Sequence, residues 1–406
     1  TDGGGGGDAF EEFQKQVSQW EKDGILKRFP DSSVCEIRDS FRPNIKNNKQ
    51  RQKELNDGER YKPENIQIVP INSPKKKQSQ VMYYATDGMG SIPQAIKSDS
   101  SFKLNQDVWI SPSNGVKYTG SSDSSSPRWK VQSSGKQWGQ FDRLIIAHNG
   151  KCADRIMSRT PAKSFHSLLR TNFAPYVPEH GGNRMTLNSI YSLTFALRKN
   201  GKESVLGGKI PGNMYSCFIK NEPNLRFLSC NTRKYSSSSS NDDNVEVWTV
   251  LSSAKFGKKY KGPQENLPNE LVKDVTGQML QSLERSIGLE AGSLWNVKDA
   301  HVGGGIVLDY KLQLWGAAVP LNTWSSSSTE GGFLYDAENG VGACGDWLLH
   351  PSIGGAWESG RRLANWIVED LEDRKKKGEG SSVGLPPDGK FVRSVAASQA
   401  GIASFK

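Results

Sequence analysis

The chain has 406 residues, 35% of them hydrophobic, with 53 Lys and Arg against 43 Asp and Glu for a formal net charge of +10. No run approaches the roughly 18 apolar residues that cross a bilayer, and no cleavable leader follows Thr1. Much of the positive charge lies in two polar stretches, 42–77 and 374–377, without RNA-binding signatures, zinc spacings or interleaved aromatics, so solvated loop charge accounts for it better than a nucleic-acid interface. Cys35, Cys152, Cys217, Cys230 and Cys344 are odd in number and form no C-x-x-C, which reads as reduced thiols in an intracellular compartment and gives no metal site.

The chain opens on TDGGGGG, a flexible linker composition. Phe10, Phe13, Val17 and Trp20 then recur at helical spacing from Asp8, and Gly24 supplies a stop before Ile25-Leu26. Residues 38–80 are rich in Lys, Arg, Asn and Gln and read as a disordered insert. Order resumes at VMYYATDGMGSIPQAI, where Met89 reads as core packing.

Short strand candidates follow at Leu104–Val108, Val116–Tyr118 and Trp129–Val131, then a longer one over Gln140–Ala147. The continuous apolar run Leu144–Ala147 predicts a strand buried on both faces. His148-Asn149-Gly150 ends it. From Lys151 a helical segment leads to IYSLTFAL, YSCFI, LRFLSC and VEVWTVLS, whose β-branched and aromatic content predicts an antiparallel sheet. Leu271, Val272, Val275, Met279, Leu283 and Ile287 mark one face of a helix over Asn269–Leu289, with Pro268 at its start. Gly303–Gly305 reads as a turn, and LQLWGAAVP as an extended segment. After a Ser-rich insert, Asn339-Gly340 predicts a tight hairpin into a strand at Val341–Cys344. Gly345-Asp346, a glycine turn at Gly354-Gly355 and a helix with Ala356, Trp357, Leu363, Ala364, Trp366 and Ile367 complete a strand–acid–glycine–helix order that suits a dinucleotide. The alternative is an ordinary strand–turn–helix closing an α/β domain.

Val341–Val368 resembles the C-terminal flavin-binding motif of the FAD-dependent amine oxidase superfamily, closest to its renalase-like branch, through Gly345, Asp346, Ala356, Trp357, Ser359, Gly360 and Ala364. Tyr84, Gly88, Met89, Ile92 and Ile96 resemble a second family signature, and Trp315, Ala318 and Pro320 a third. The resemblance implies an α/β fold of α+β two-domain type: a partial Rossmann-like FAD-binding domain and an antiparallel-sheet substrate domain. Its implied divisions are a helical piece at 1–37, the insert at 38–80, an FAD-domain meander and strand at 81–150, the substrate domain at 151–330, the C-terminal FAD strand and helix at 331–373, and a disordered tail at 374–406. It implies that Asp346, beside Gly345, binds the ribityl-pyrophosphate region, that Gly354, Gly355 and Ala356 face the flavin's pyrimidine edge, and that Ala147 and His148 lie near the ring.

The family's G-x-G-x-x-G turn and acidic ribose ligand, expected upstream of the first helix, have no counterpart here, and Gly3–Gly7 does not replace them. The chain therefore reads as a piece of a longer flavoprotein that holds FAD weakly or not at all, with a small-molecule substrate and NAD(P)H as a candidate electron partner. The alternative is a non-catalytic remnant of the fold kept as an interaction module. No nucleic-acid partner and no membrane span are expected; analogy with plant and algal relatives makes a plastid one candidate compartment. No catalytic side chain can be assigned from the sequence. Cys344 reads as a small buried hydrophobe, and Trp315 and Trp347 as core residues or pocket walls.

Overall fold

The computed structural model describes residues 11–39, 62–71, 81–98, 101–120, 128–149, 151–174, 181–235, 244–295, 306–326, 331–377, 380–387 and 389–394. Gly3–Gly7, Asp8, Gly150 and Gly303–Gly305 lie outside them. In chain order the elements begin with α1 (Glu11–Lys22), β1 (Leu26–Arg28), β2 (Val34–Asp39), β3 (Ile66–Pro70), β4 (Tyr83–Ala85) and α2 (Ser91–Ser98). Then come β5 (Val116–Tyr118), β6 (Trp129–Ser133), β7 (Lys136–Phe141), β8 (Leu144–Ile146), α3 (Lys151–Met157), α4 (Lys163–Leu168), β9 (Thr171–Phe173) and β10 (Met185–Leu187). A middle group follows: β11 (Ile190–Arg198), β12 (Ser216–Ile219), β13 (Leu225–Cys230), α5 (Asn231–Lys234), β14 (Val245–Ser252), α6 (Ala254–Lys259), α7 (Asn269–Ile287) and β15 (Val307–Trp315). The chain closes with β16 (Asn322–Ser326), β17 (Leu334–Asp336), β18 (Val341–Ala343), α8 (Ile353–Lys377) and β19 (Gly389–Arg393). Helices and mixed sheets are thus combined in an α/β fold of two compact units, 1–17 with 102–189 and 317–406, and 18–101 with 190–316.

The second unit is built on a seven-stranded sheet in the order β15-β11-β14-β13-β12-β2-β3. Strict alternation in β11 sends Tyr191, Leu193, Phe195 and Leu197 to one face. Trp248 and Val250 of β14 share that face's core with Val275, Met279, Leu283 and Ile287 from one side of α7. Each such side chain contributes about 1.5–3 kcal/mol by leaving water. Gly288, at φ +68°, ends α7 in the left-handed conformation that glycine adopts without a Cβ penalty.

Several expectations change in this unit. The sheet is mixed, because β2 runs parallel to β12 with Cys35 opposite Cys217. Within the stretch read as disordered, Pro63–Asn65 form a 3-10 turn and Ile66–Pro70 pair antiparallel with β2. The five-residue alternation IQIVP finds an edge to join, which the polar average around it concealed. The sheet unit starts at Ile190 rather than at 151, takes in 18–101, and ends at Gly316 rather than at 330. Met89 is exposed rather than core.

The first unit contains the antiparallel meander β5-β6-β7 and a three-stranded sheet in the order β17-β18-β8. Trp129 of β6 is buried, and its indole N–H donates to the carbonyl of Asn339 at 2.9 Å. Gly340 has φ +62° in the turn joining β17 to β18, and the Asp336 carboxylate accepts from the Asn339 backbone and side-chain N–H groups. The strand expected over Gln140–Ala147 is divided: Gln140-Phe141 finish β7, and only Leu144–Ile146 pair with β18. Among the described residues β8 is an edge, so Ile145 is 38% exposed instead of buried on both faces. The tail also departs from expectation. α8 runs on to Lys377, β19 pairs with β16, and Phe391 is buried against Trp324 with ring centroids 5.1 Å apart.

Candidate functional site

In the first unit β18 and β8 run parallel, with Val341 opposite Leu144, Gly342 opposite Ile145 and Ala343 opposite Ile146. Their carboxyl ends therefore lie side by side, the position at which open α/β sheets present ligand-binding loops. A Cβ on Gly342 would stand 3.0 Å from Ile145 Cδ1 and 3.2 Å from both the Leu334 carbonyl and Leu363 Cδ1, so this strand is small because its neighbours are close.

Asp346 stands just past β18. Its carboxylate accepts hydrogen bonds from its own N–H, from the Trp347 N–H and from the Asn149 side chain. Burial outweighs these bonds and pushes the carboxyl up to about 6 from an ordinary 3.8. Asn149 belongs to the loop after β8, so the two strand ends meet through an amide–carboxyl contact. The sequence offered no signal for that partner. Of the residues expected in that loop, Ala147 and His148 are both exposed, and His148 Nδ1 lies 3.3 Å from the Asn149 carbonyl. The Asp346 carboxylate is met by Asn149, not by either of these two.

Gly345 is held from behind. Its N–H donates to Ser359 Oγ at 2.9 Å, and that hydroxyl donates to the Gly332 carbonyl at 2.5 Å. Ser359 lies in α8 and is fully buried. One turn face of α8 thus fixes the end of β18.

The glycines expected in a turn, Gly354 and Gly355, are instead in the first turn of α8, with Ala356 after them. Ser352 caps that turn: its Oγ accepts from the Gly355 N–H at 3.0 Å and its carbonyl from the Ala356 N–H at 3.0 Å. Those two N–H groups are therefore spent within the helix. Among the described residues, the N–H groups of Ile353 and Gly354 have no acceptor, as expected of a helix start. Gly355 serves the chain itself, since a Cβ there would lie 1.9 Å from the His350 carbonyl oxygen. His350 Nδ1 is 2.9 Å from Ser352 Oγ, and burial lowers the imidazole's pKa, so the ring is neutral at neutral pH.

Beside Ser359, the fully buried Glu358 receives Arg361 through two bonds of 2.7 and 2.9 Å and Arg362 through one of 2.9 Å. Burial opposes its charge, but the two guanidinium groups prevail and hold the carboxyl below its ordinary value. Cys344 is buried and its thiol is pushed up to about 11, as suits a small hydrophobe rather than a nucleophile. Trp347 is fully buried, with Phe391 stacked at 6.4 Å, and it serves the core; its indole N–H has no hydrogen-bond partner among the described residues. Trp315, in the other unit, is exposed.

No family model matches the sequence. Among solved structures, the chain is similar to a putrescine oxidase triple mutant from a structure-based redesign of cofactor binding, at 13% identity and TM-score 0.39, covering 71% of this chain and 54% of that one. A double mutant from the same redesign gives 16% identity and TM-score 0.38 over the same shares. An oxidoreductase from Methanosarcina mazei gives 10% identity and TM-score 0.35, covering 70% of this chain and 55% of that one. The chain spans about half the length of these structures. Among the described residues no group of His, Cys, Asp and Glu is arranged to hold a metal, and no helix is long and apolar enough to cross a membrane.

Proposed function

We propose that this chain is part of an FAD-dependent oxidoreductase of the amine oxidase type, renalase-like in its C-terminal motif, acting on a small-molecule substrate. The observation that carries the reading is the parallel pairing of β8 with β18, which sets Asn149 against Asp346 where a ligand-binding loop belongs. The residues present fit one half of the cofactor. Asp346, ionised or protonated near neutral pH, can accept from or donate to the hydroxyls of a ribityl chain, and Asn149 orients it. The N–H groups of Ile353 and Gly354 are the helix-start donors left for an electron-rich ring edge, so this pair replaces the wider Gly354–Ala356 set. Gly345, tethered by Ser359, fixes where the carboxylate stands. Ala147 and His148 fit a place at the solvent side of the same loop.

Bound FAD would supply two-electron redox chemistry, with NAD(P)H a candidate electron partner. This chain's residues hold and orient; no side chain among them is assigned a proton-transfer step. The divisions proposed for the function are a cofactor part containing β8, β18 and α8 and a substrate part containing the seven-stranded sheet.

Nothing among the residues above provides the several backbone donors that a pyrophosphate requires. The 406-residue chain is therefore expected to bind FAD in the high micromolar to millimolar range, and FMN about equally well, with Asp346→Ala weakening both. Fluorescence titration of flavin checks this. Nanomolar FAD affinity, absence of binding up to millimolar flavin, or an Asp346→Ala variant equal to the parent would each overturn the assignment.

A further inference from the structure

One polar-aromatic cluster is left unused by the flavin reading. It lies in the second unit, where β2 and β12 begin and β13 ends. Tyr215 immediately precedes β12; its N–H donates to the Ser33 carbonyl at 2.7 Å and its carbonyl accepts from the Cys230 N–H at 2.9 Å. The one-turn helix α5 then carries Lys234 and leads to Tyr235. Tyr84 comes from β4, and Phe29 follows β1 with its N–H donating to the Met82 carbonyl. The Phe29 ring centroid lies 5.0 Å from that of Tyr84 and 6.2 Å from that of Tyr215, and Tyr84 meets Tyr235 edge-on at 6.5 Å. All four rings are half-buried.

Three phenols converge here. Burial raises the pKa of Tyr84, and the neighbouring Tyr215 adds to it; burial and then Tyr84 do the same to Tyr235. Among the described residues the hydroxyls of Tyr84 and Tyr215 donate to no protein acceptor. Lys234 joins them, half-buried, with its ammonium 5.4 Å from the Tyr235 ring centroid. No carboxylate among the described residues pairs with it, and burial lowers its pKa. The nearby cations are already committed. Arg28 pairs with Glu21 at 2.8 Å, and Arg233 donates to the carbonyls of Ile210, Pro211 and Met214 and faces Glu246 at 3.7 Å.

A long lysine side chain ordinarily extends its ammonium into water. Here it lies half-buried over the Tyr235 ring, with no carboxylate partner among the described residues, at the margin of the aromatic cluster. We propose that Phe29, Tyr84, Tyr215, Tyr235 and Lys234 form a binding site for a small aromatic carboxylate. The ring packs edge-on or offset against the aromatic side chains, and the carboxylate accepts from Lys234, with the Tyr84 and Tyr215 hydroxyls as further donors. The rings alone would suit a quaternary ammonium ion, but Lys234 repels one. A phosphate dianion calls for more than a single cation, and among the described residues of this cluster Lys234 is the one without a carboxylate partner while Arg28 and Arg233 are committed. The site is independent of Asp346 and of flavin.

Titration of the 406-residue chain with benzoate and with 3-phenylpropanoate, followed by calorimetry, tests the proposal. Saturable binding is expected, weakened about tenfold or more by Lys234→Met and retained within a few-fold by Lys234→Arg, since one charge-assisted hydrogen bond is lost in the first and kept in the second. Benzyl alcohol and inorganic phosphate should bind at least about tenfold more weakly than benzoate, and Asp346→Ala should leave benzoate binding unchanged. A measurement on the unmodified chain guards against variants that misfold: benzoate should protect Lys234 from acylation by an amine-reactive ester, read by mass spectrometry. Absence of saturable carboxylate binding, equal binding by Lys234→Met, preference for phosphate or tetramethylammonium, or unprotected Lys234 would each overturn it.

Discussion

Asp346→Asn should make the fold more stable at neutral pH, and the gain should disappear in acid. The carboxyl is moved from 3.8 to about 6 by burial. Each tenfold change in a protonation constant is worth about 1.4 kcal/mol, so the ionised native state carries a penalty of about 3 kcal/mol. The direction follows from proton binding. Between pH 3.8 and about 6 the native state holds a proton that the unfolded chain has lost, so stability falls as pH rises through that window. Asparagine removes the charge but retains an acceptor for the Trp347 N–H; part of the hydrogen bonding is lost, leaving a net gain of about 2 kcal/mol at pH 7. Urea unfolding of both proteins at about pH 3.5, 5 and 7 reads the difference directly. A difference independent of pH, or a variant less stable at pH 7, would refute the account of what burial does to this carboxyl. A carboxylate kept where an amide would be steadier is the pattern expected of a functional group.

Gly355→Ala should cost at least about 3 kcal/mol or abolish folding, because the new methyl would lie 1.9 Å from the His350 carbonyl, whereas Gly360→Ala, whose nearest neighbour is Cys344 Sγ at 3.9 Å, should be neutral or stabilising by up to about 1 kcal/mol. Thermal melting of the pair checks both, and equal behaviour would contradict the packing at the start of α8. Glu358→Gln should lose about 2 kcal/mol in urea titrations, a discounted value because Arg361 and Arg362 remain partly exposed. Since the Glu358 carboxyl is held low, its contribution is present above the ordinary glutamate range and lost as pH falls through the depressed value, so the variant should show a flatter acid limb.

The element types that position the candidate site were legible because they are local. A continuous apolar run gave β8, Asn339-Gly340 gave the hairpin into β18, and three-and-four spacing gave α7 and α8. What sequence concealed was pairing at a distance. Ile66–Pro70 is a five-residue strand inside a long polar stretch, and its identity depends on β2 offering an edge. Phe391 is one aromatic in a Gly/Pro/Ser-containing tail, and Trp324 is what buries it. Ile145 was expected to be covered because the run is apolar, but coverage is decided by neighbours. Ser352, following Pro351, was a readable cap signal that would have moved Gly354 and Gly355 into the helix. Asn149 carried no such mark, since an asparagine in a loop becomes a partner for Asp346 only through the pairing of β8 with β18.

That pairing also sets a clock. Ile146 and Ala343 stand opposite one another with about two hundred residues between them, and the strands β11 to β15 are made in the interval. At the usual ~5–20 residues per second of synthesis, β8 waits roughly 10–40 s for its partner strand. Through that time its edge, with Ile145 exposed even in the finished fold, is open to strands of other nascent chains. Yield at the ribosome should therefore respond more to residue 145 than native stability does, and a polar residue there is the cheapest protection the chain has left unused.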